Sequence, residues 1–354
     1  MKENSLESDI TSPLEGAETS QNRQEPAPTA LIEPPASIPS GVIPPPLPSS
    51  IPPPLPCAPL AYENHAFLNS PDGRLIRIVA EYLEPLSRFR RERIQDTVVF
   101  FGSARFRGRD EADHALELLE NTGSARPAPS EEQPARAGEI ASGVASDLQR
   151  KRAVAAVEMA RYYEDARSLA QLLTRWAMNI PSRKSRFVVT SGGGPGIMEA
   201  ANRGACDVGA KSIGLNIGLA RQQSPNPYVT PELCFQFHYF AIRKLHFLMR
   251  ARALVAFPGG YGTLDEIFEV LSLAQTRKMS PVPVILVGEN YWRRVFDAEF
   301  LVDEGVIDPE DRDLFWFAET ADQIWRDILS WYESSGRPLL PPSERISQEQ
   351  GGDS

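Results

Sequence analysis

Ala253-Leu-Val-Ala-Phe-Pro-Gly-Gly-Tyr-Gly-Thr-Leu-Asp-Glu266 runs from an apolar segment through a cluster of glycines into the opening of a helix. The apolar run 253–257 has the length and character of a strand buried on both faces, as in a parallel sheet. A strand that empties into glycines and then a helix presents free backbone N–H groups and the positive end of the helix dipole, a setting that accepts phosphate. Gly259, Gly260 and Gly262 supply the N–H groups in this reading, and Thr263 adds a hydroxyl. Glu266 has two readings. Thr263-x-x-Glu266 matches a capping box, in which the carboxylate bonds the Thr263 N–H, and spacing alone favours that role. Turned toward a ligand, the same carboxylate is a candidate acid or base.

The same order of strand, glycines and helix recurs upstream in Val189-Thr-Ser-Gly-Gly-Gly-Pro-Gly-Ile-Met-Glu-Ala-Ala201. Gly193, Gly194 and Gly196 would shape a second wall of a crevice, and Glu199 either touches a ligand or favours the helix dipole. A dinucleotide fingerprint would need glycine where Ile197 stands. Thr97-Val-Val-Phe-Phe101 is a third buried run, ending at Gly102-Ser103 in a ligand-facing loop. Between the two glycine loops, Arg243 and Lys244 adjoin in an otherwise apolar helix. They are either snorkelling surface side chains or cations for a phosphate or a departing anionic base. His238 and His246 read as aromatic packing, and Met198 and Tyr261 as packing or base-stacking candidates.

Outward from these loops, strands are expected at 187–190, 212–217 and 283–287, and helices over 153–178, from 197, over 239–251, from 264, from 290 and over 320–332. The alternation predicts an α/β fold, a Rossmann-like doubly wound parallel sheet in a single domain spanning 61–336. Residues 1–60 are Pro-rich and read as a disordered tail, 123–147 as a disordered insertion, and 337–354 as a disordered C-terminal tail. A net charge of −10 argues against a nucleic-acid polymer as partner, though not against a small anion. Cys57, Cys206 and Cys234 form no CxxC pair, which suits a reducing compartment and offers no metal site. No signal peptide or membrane-spanning run is read, so a cytoplasmic protein is expected.

Together, Phe101-Gly-Ser103, Ser191-Gly-Gly-Gly-Pro-Gly-Ile-Met-Glu-Ala200, Arg243-Lys244 and Pro258-Gly-Gly-Tyr-Gly-Thr-Leu-Asp-Glu266 resemble the LONELY GUY (LOG) family, long labelled "lysine decarboxylase-like". The resemblance covers about Val98 to Ile328 and looks like the larger bacterial subgroup. It implies a Rossmann-like fold, a homodimer or higher homo-oligomer, and cytokinin riboside 5′-monophosphate phosphoribohydrolase or AMP nucleosidase activity. It also implies that Arg243 and Glu266 are the essential catalytic pair. Gly102, Ser103, Gly193, Gly194, Gly196, Glu199, Lys244, Gly259, Gly260, Gly262 and Thr263 are then the candidate substrate-binding residues. The Pro-rich tail and the insertion depart from the family pattern.

Cleaving a ribosyl C–N bond passes through an oxocarbenium-like transition state, for which a carboxylate near the anomeric carbon and a cation near the leaving base are the complementary groups. This chemistry calls for no metal and no redox cofactor. The alternative is a non-catalytic carrier or sensor of a nucleotide or molybdenum-cofactor type, within the same superfamily. A decarboxylase would need a Schiff-base lysine, and no motif for one is present.

Overall fold

The strand β1 (Thr97–Phe101) is buried at all five positions, and its side chains divide between two cores. Val98 and Phe100 join one cluster, Val99 and Phe101 the other. A strand dry on both faces needs a helical layer on each side, and helical crossovers between parallel strands provide them. The computed structural model describes residues 57–124, 137–181, 184, 186–218, 224–336 and 339. The remaining strands are β2 (Val188–Ser191), β3 (Ser212–Ile217), β4 (Cys234–Phe237), β5 (Ala251–Ala256), β6 (Val284–Val287) and β7 (Trp316–Ala318). All pairings are parallel, in the order β4-β3-β2-β1-β5-β6-β7. The fold is α/β, a Rossmann-like doubly wound sheet.

The helices in chain order are α1 (His65–Asn69), α2 (Arg74–Arg91), α3 (Arg109–Ser124), α4 (Ala137–Met178), α5 (Ile197–Asp207), α6 (Phe240–Leu248), α7 (Tyr261–Gln275), α8 (Glu289–Val295), α9 (Ala298–Asp303) and α10 (Ala321–Ser334). Residues of α4, α5 and α10 cover one face through Leu169, Leu173, Ala201 and Ile324. Residues of α2, α6, α7 and α8 cover the other through Phe89, Phe247, Ile267 and Trp292. Among the described residues no helix is long and apolar enough to cross a membrane.

The chain lays down β1 to β4 in one direction and then returns to place β5 on the far side of β1. At such a reversal the loops leaving the two central strands diverge to opposite faces and open a crevice at the strands' carboxyl ends. Phe101 lies opposite Ala256 in register, so Gly102-Ser103 and Pro258-Gly259-Gly260 emerge side by side there.

Two strands escaped the sequence reading. β4 has four residues in a segment dense in proline, and β7 has three, so neither shows a periodicity to read. The expected insertion at 123–147 also needs correction at its ends. Residues 123–124 close α3 and 137–147 open α4, while 125–136 lie outside the described residues. The prolines of this stretch, at 127, 129 and 134, all precede 137, and a helix can propagate once they are passed. Residues 1–56 of the expected Pro-rich tail lie outside the described residues. So does the C-terminal tail from 337 except Leu339, whose carbonyl accepts from Arg186 Nη2 at 3.2 Å.

Candidate active site

The crevice at the β1–β5 reversal is a cleft of about 750 Å³ lined by glycines on one side and apolar side chains on the other. That volume suits a nucleotide-sized ligand. Its glycine side is the loop into α7. The helix begins at Tyr261 with Gly260 as N-cap and no side-chain cap. Its first intrahelical bond is Leu264 N–H to the Gly260 carbonyl at 3.1 Å, so the N–H groups of Tyr261, Gly262 and Thr263 lie ahead of the ladder. Gly259 through Thr263 all line the cleft. The loop is held from two sides: Ser103 N–H donates to the Pro258 carbonyl at 3.0 Å, and the Tyr291 hydroxyl donates to the Gly259 carbonyl.

On the cleft floor Arg243 Nη1 donates to Glu266 Oε1 at 3.2 Å. Arg243 Nε donates to the Leu215 carbonyl at 2.7 Å, and the guanidinium lies over the Phe247 ring, 5.0 Å from its centroid. These contacts hold the guanidinium on the cleft floor. Gly192 makes room for it: a Cβ there would sit 2.6 Å from Arg243 Nη2. Glu266 is only 8% exposed. Burial pushes its carboxyl up to about 7, against the pull of Arg243 and Lys244. Burial also holds the Arg243 guanidinium below its ordinary value, against the pull of Glu266 and Asp265. Exclusion of water thus works against both charges, and their mutual attraction offsets only part of it.

A family model described as "Possible lysine decarboxylase" matches residues 198–328. Cytokinin riboside 5′-monophosphate phosphoribohydrolase LOG7 of Arabidopsis thaliana is 36% identical over 116 residues, 31% of this chain and 54% of that protein. The probable cytokinin riboside 5′-monophosphate phosphoribohydrolase LOGL3 of Oryza sativa subsp. japonica is 29% identical over 148 residues, 39% of this chain and 65% of that protein. Over these segments the chain is similar to proteins of the LOG family. It spans between half and two thirds of the length of these two LOG relatives. Among solved structures, the molybdenum cofactor binding protein from Rippkaea orientalis matches at 21% identity, over 48% of this chain and 87% of that chain. Its TM-score of 0.34 is too low to bear on fold or function.

The structure sorts the residues singled out by the LOG resemblance into two groups. Arg243, Glu266, Gly102, Ser103, Gly259, Gly260, Gly262 and Thr263 line one cleft. Gly193, Gly194, Gly196, Glu199 and Lys244 do not. The upstream glycine loop reaches the cleft at its two ends, through Gly192 and Met198, while its middle is held by the fold. Ile197 N–H, at the opening of α5, donates to the Ser103 carbonyl at 3.0 Å, and Asn226 Nδ2 donates to the carbonyls of Gly193 and Gly194. Gly196, at φ +71°, lets this loop pass against the Ser103–Ala104 backbone with no room for a Cβ. Glu199 accepts the Tyr163 hydroxyl at 2.9 Å where α5 packs on α4. Lys244 pairs with Asp265 at 2.8 Å and Glu269 at 3.2 Å on the flank of α7.

The capping-box reading of Glu266 also fails. With the helix starting at Tyr261, Thr263 is its third residue, not its cap, and Glu266 lies more than a turn inside, facing Arg243. Cleft residues that the sequence reading did not single out include Arg105, Asn216, Phe240 and Tyr291. Of these, Asn216 alone had a visible signal, a carboxamide interrupting the apolar end of Ser212-Ile-Gly-Leu-Asn-Ile217.

The raised Glu266 carboxyl has a consequence for stability. The native state holds a proton that the unfolded chain releases at its ordinary 4.5, so stability falls as pH rises from about 4.5 to about 7 and then levels off. Glu266→Gln cannot ionise and escapes this loss. Between pH 5 and pH 8 its melting temperature is expected to rise by roughly 5 °C relative to wild type. Thermal scans at the two pH values check this, and a pH-independent difference would contradict the shifted carboxyl.

Proposed function

We propose that the cleft hydrolyses the N-glycosidic bond of a purine nucleoside 5′-monophosphate, releasing the base and ribose 5-phosphate. The base in this reading is adenine or an N6-modified adenine. The observation that carries the proposal is the buried Arg243–Glu266 pair on the floor of a cleft whose one end is the uncapped start of α7. The names of the LOG relatives, all phosphoribohydrolases, support it.

In this mechanism the phosphate sits against the N–H groups of Gly260, Gly262 and Thr263, where the helix dipole and the loop donors act together. That placement brings the ribose over Glu266. As the C1′–N bond breaks, its electron pair moves to the base nitrogen and positive charge grows on the sugar. The Glu266 carboxylate faces that charge and accepts a proton from the attacking water. Arg243, a poor proton donor, acts through its charge on the negative leaving base. Net, one water is split: its hydroxyl goes to the anomeric carbon and its proton to the base nitrogen. A carboxyl near 7 can both take up and release that proton at neutral pH.

Incubation of the purified chain with AMP, followed by chromatography, tests the reading. Equal amounts of adenine and ribose 5-phosphate are expected. AMP bound but recovered intact would overturn the hydrolase reading and leave the binding-only alternative. Adenosine lacks the phosphate and is expected to show a kcat/KM lower by about 10²-fold, the worth of one or two charge-assisted hydrogen bonds.

A further inference from the structure

Asn216 is the penultimate residue of β3, beside the catalytic floor and one residue beyond Leu215, whose carbonyl holds Arg243 Nε. It lines the cleft and is 4% exposed. A carboxamide can make four hydrogen bonds, and buried ones normally find partners. Among the described residues the hydrogen bond made by this side chain is a weak one, Nδ2–H to Cys234 Sγ at 3.6 Å. One Nδ2 hydrogen and the Oδ1 lone pairs are left over.

The amide is held in place. Gly193, at φ +73°, lies flat against it, so close that a Cβ would come within 2.5 Å of Nδ2 and 2.8 Å of Oδ1. Met198, Ile217, Phe240 and Phe247 add apolar surface to the cleft lining. One fixed carboxamide among apolar walls is the arrangement that grips a flat heteroaromatic ring and orients it by one edge. With the glycine loop taking the phosphate, Asn216 is left for the base.

We infer that Asn216 reads the base of the substrate, through an edge that carries an exocyclic amine next to a ring nitrogen acceptor. Oδ1 accepts from the amine while Nδ2–H donates to the ring nitrogen, the pairing that makes an amide side chain complementary to adenine. An N6-substituted adenine keeps one amine hydrogen and retains the match. A 6-oxo purine puts an acceptor opposite Oδ1 and is rejected. The inference rests on the proposed nucleotide reading of the cleft and adds the group that sets its base preference. Cytosine shares the amine-and-acceptor edge, and the assignment to adenine follows the purine substrate proposed above.

The test is kcat/KM for AMP, IMP, CMP and UMP with the wild type, Asn216→Leu and Asn216→Asp. The AMP-to-IMP ratio within each protein is independent of how much of it is folded. Wild type is expected to prefer AMP over IMP by about 10- to 100-fold. Asn216→Leu brings the ratio near one, mainly by raising KM for AMP. Asn216→Asp, which sets a carboxylate against the ring nitrogen, loses AMP as well. An unchanged ratio in Asn216→Leu, or a wild type that does not discriminate, overturns the inference while leaving the hydrolase reading standing. A preference for CMP over UMP with AMP poor overturns the assignment to adenine. Should the wild type cleave none of the four, the hydrolase reading fails, and the same ratios are then read from dissociation constants.

Discussion

Glu266→Gln is expected to lower kcat for adenine release from AMP by about 10³-fold, within the range for loss of a positioned acid–base group, with KM little changed. The amide keeps the shape of the carboxyl and can still accept from Arg243, but it can neither carry negative charge toward the ribose nor take a proton from water. In the wild type, activity should rise with pH through an inflection near 7, because the ionised form does the work and burial sets its titration there. The residual activity of the variant should lack that limb. Circular dichroism and thermal scans establish that the fold is retained. Near-normal turnover by Glu266→Gln would reduce this carboxyl to an anchor for Arg243.

Arg243→Ala is expected to cost about 10²- to 10³-fold in kcat/KM, the scale of losing one pre-aimed electrostatic group from a water-poor site. A second effect follows from the pair. Arg243 pulls the Glu266 carboxyl down against its burial, so removal of the guanidinium lets it climb further and moves the acidic limb to higher pH. Arg243→Lys should recover only part of the activity. The guanidinium fork reaches the Leu215 carbonyl and Glu266 at once, and a single ammonium on a flexible stem does not reproduce that spread. Wild-type kcat/KM in Arg243→Ala, with an unmoved limb, would remove this residue from the chemistry.

How much of this was legible beforehand differs from residue to residue. The glycine loop at 258–262 was readable because its meaning is local: strand, turn and helix opening follow one another in the chain. Lys244 shows the limit of adjacency. It follows Arg243 in sequence, but successive residues on a helix point about 100° apart. One side chain therefore enters the cleft while the next meets Asp265 and Glu269 outside it. Gly193, Gly194 and Gly196 resemble the productive loop in composition, yet their neighbours in space, Ser103, Asn216 and Asn226, consume them. Tyr291 carries no pattern at all, and its bond to the Gly259 carbonyl joins residues 32 apart in the chain.

The sequence by itself determined the parallel α/β sheet, the carboxyl-edge location of the crevice and the presence of an acid and a guanidinium close to it. Strand burial, glycine placement and helix period are short-range properties, and a linear pattern records them. Only the tertiary structure decided that Glu266 faces Arg243 instead of capping its own helix, that Gly259 through Thr263 line the cleft while the upstream loop reaches it only at Gly192 and Met198, and that Asn216 lines it too. Those outcomes depend on which of several chemically competent partners comes within about 3 Å and whether water is excluded there, and both are set by segments far apart in the chain.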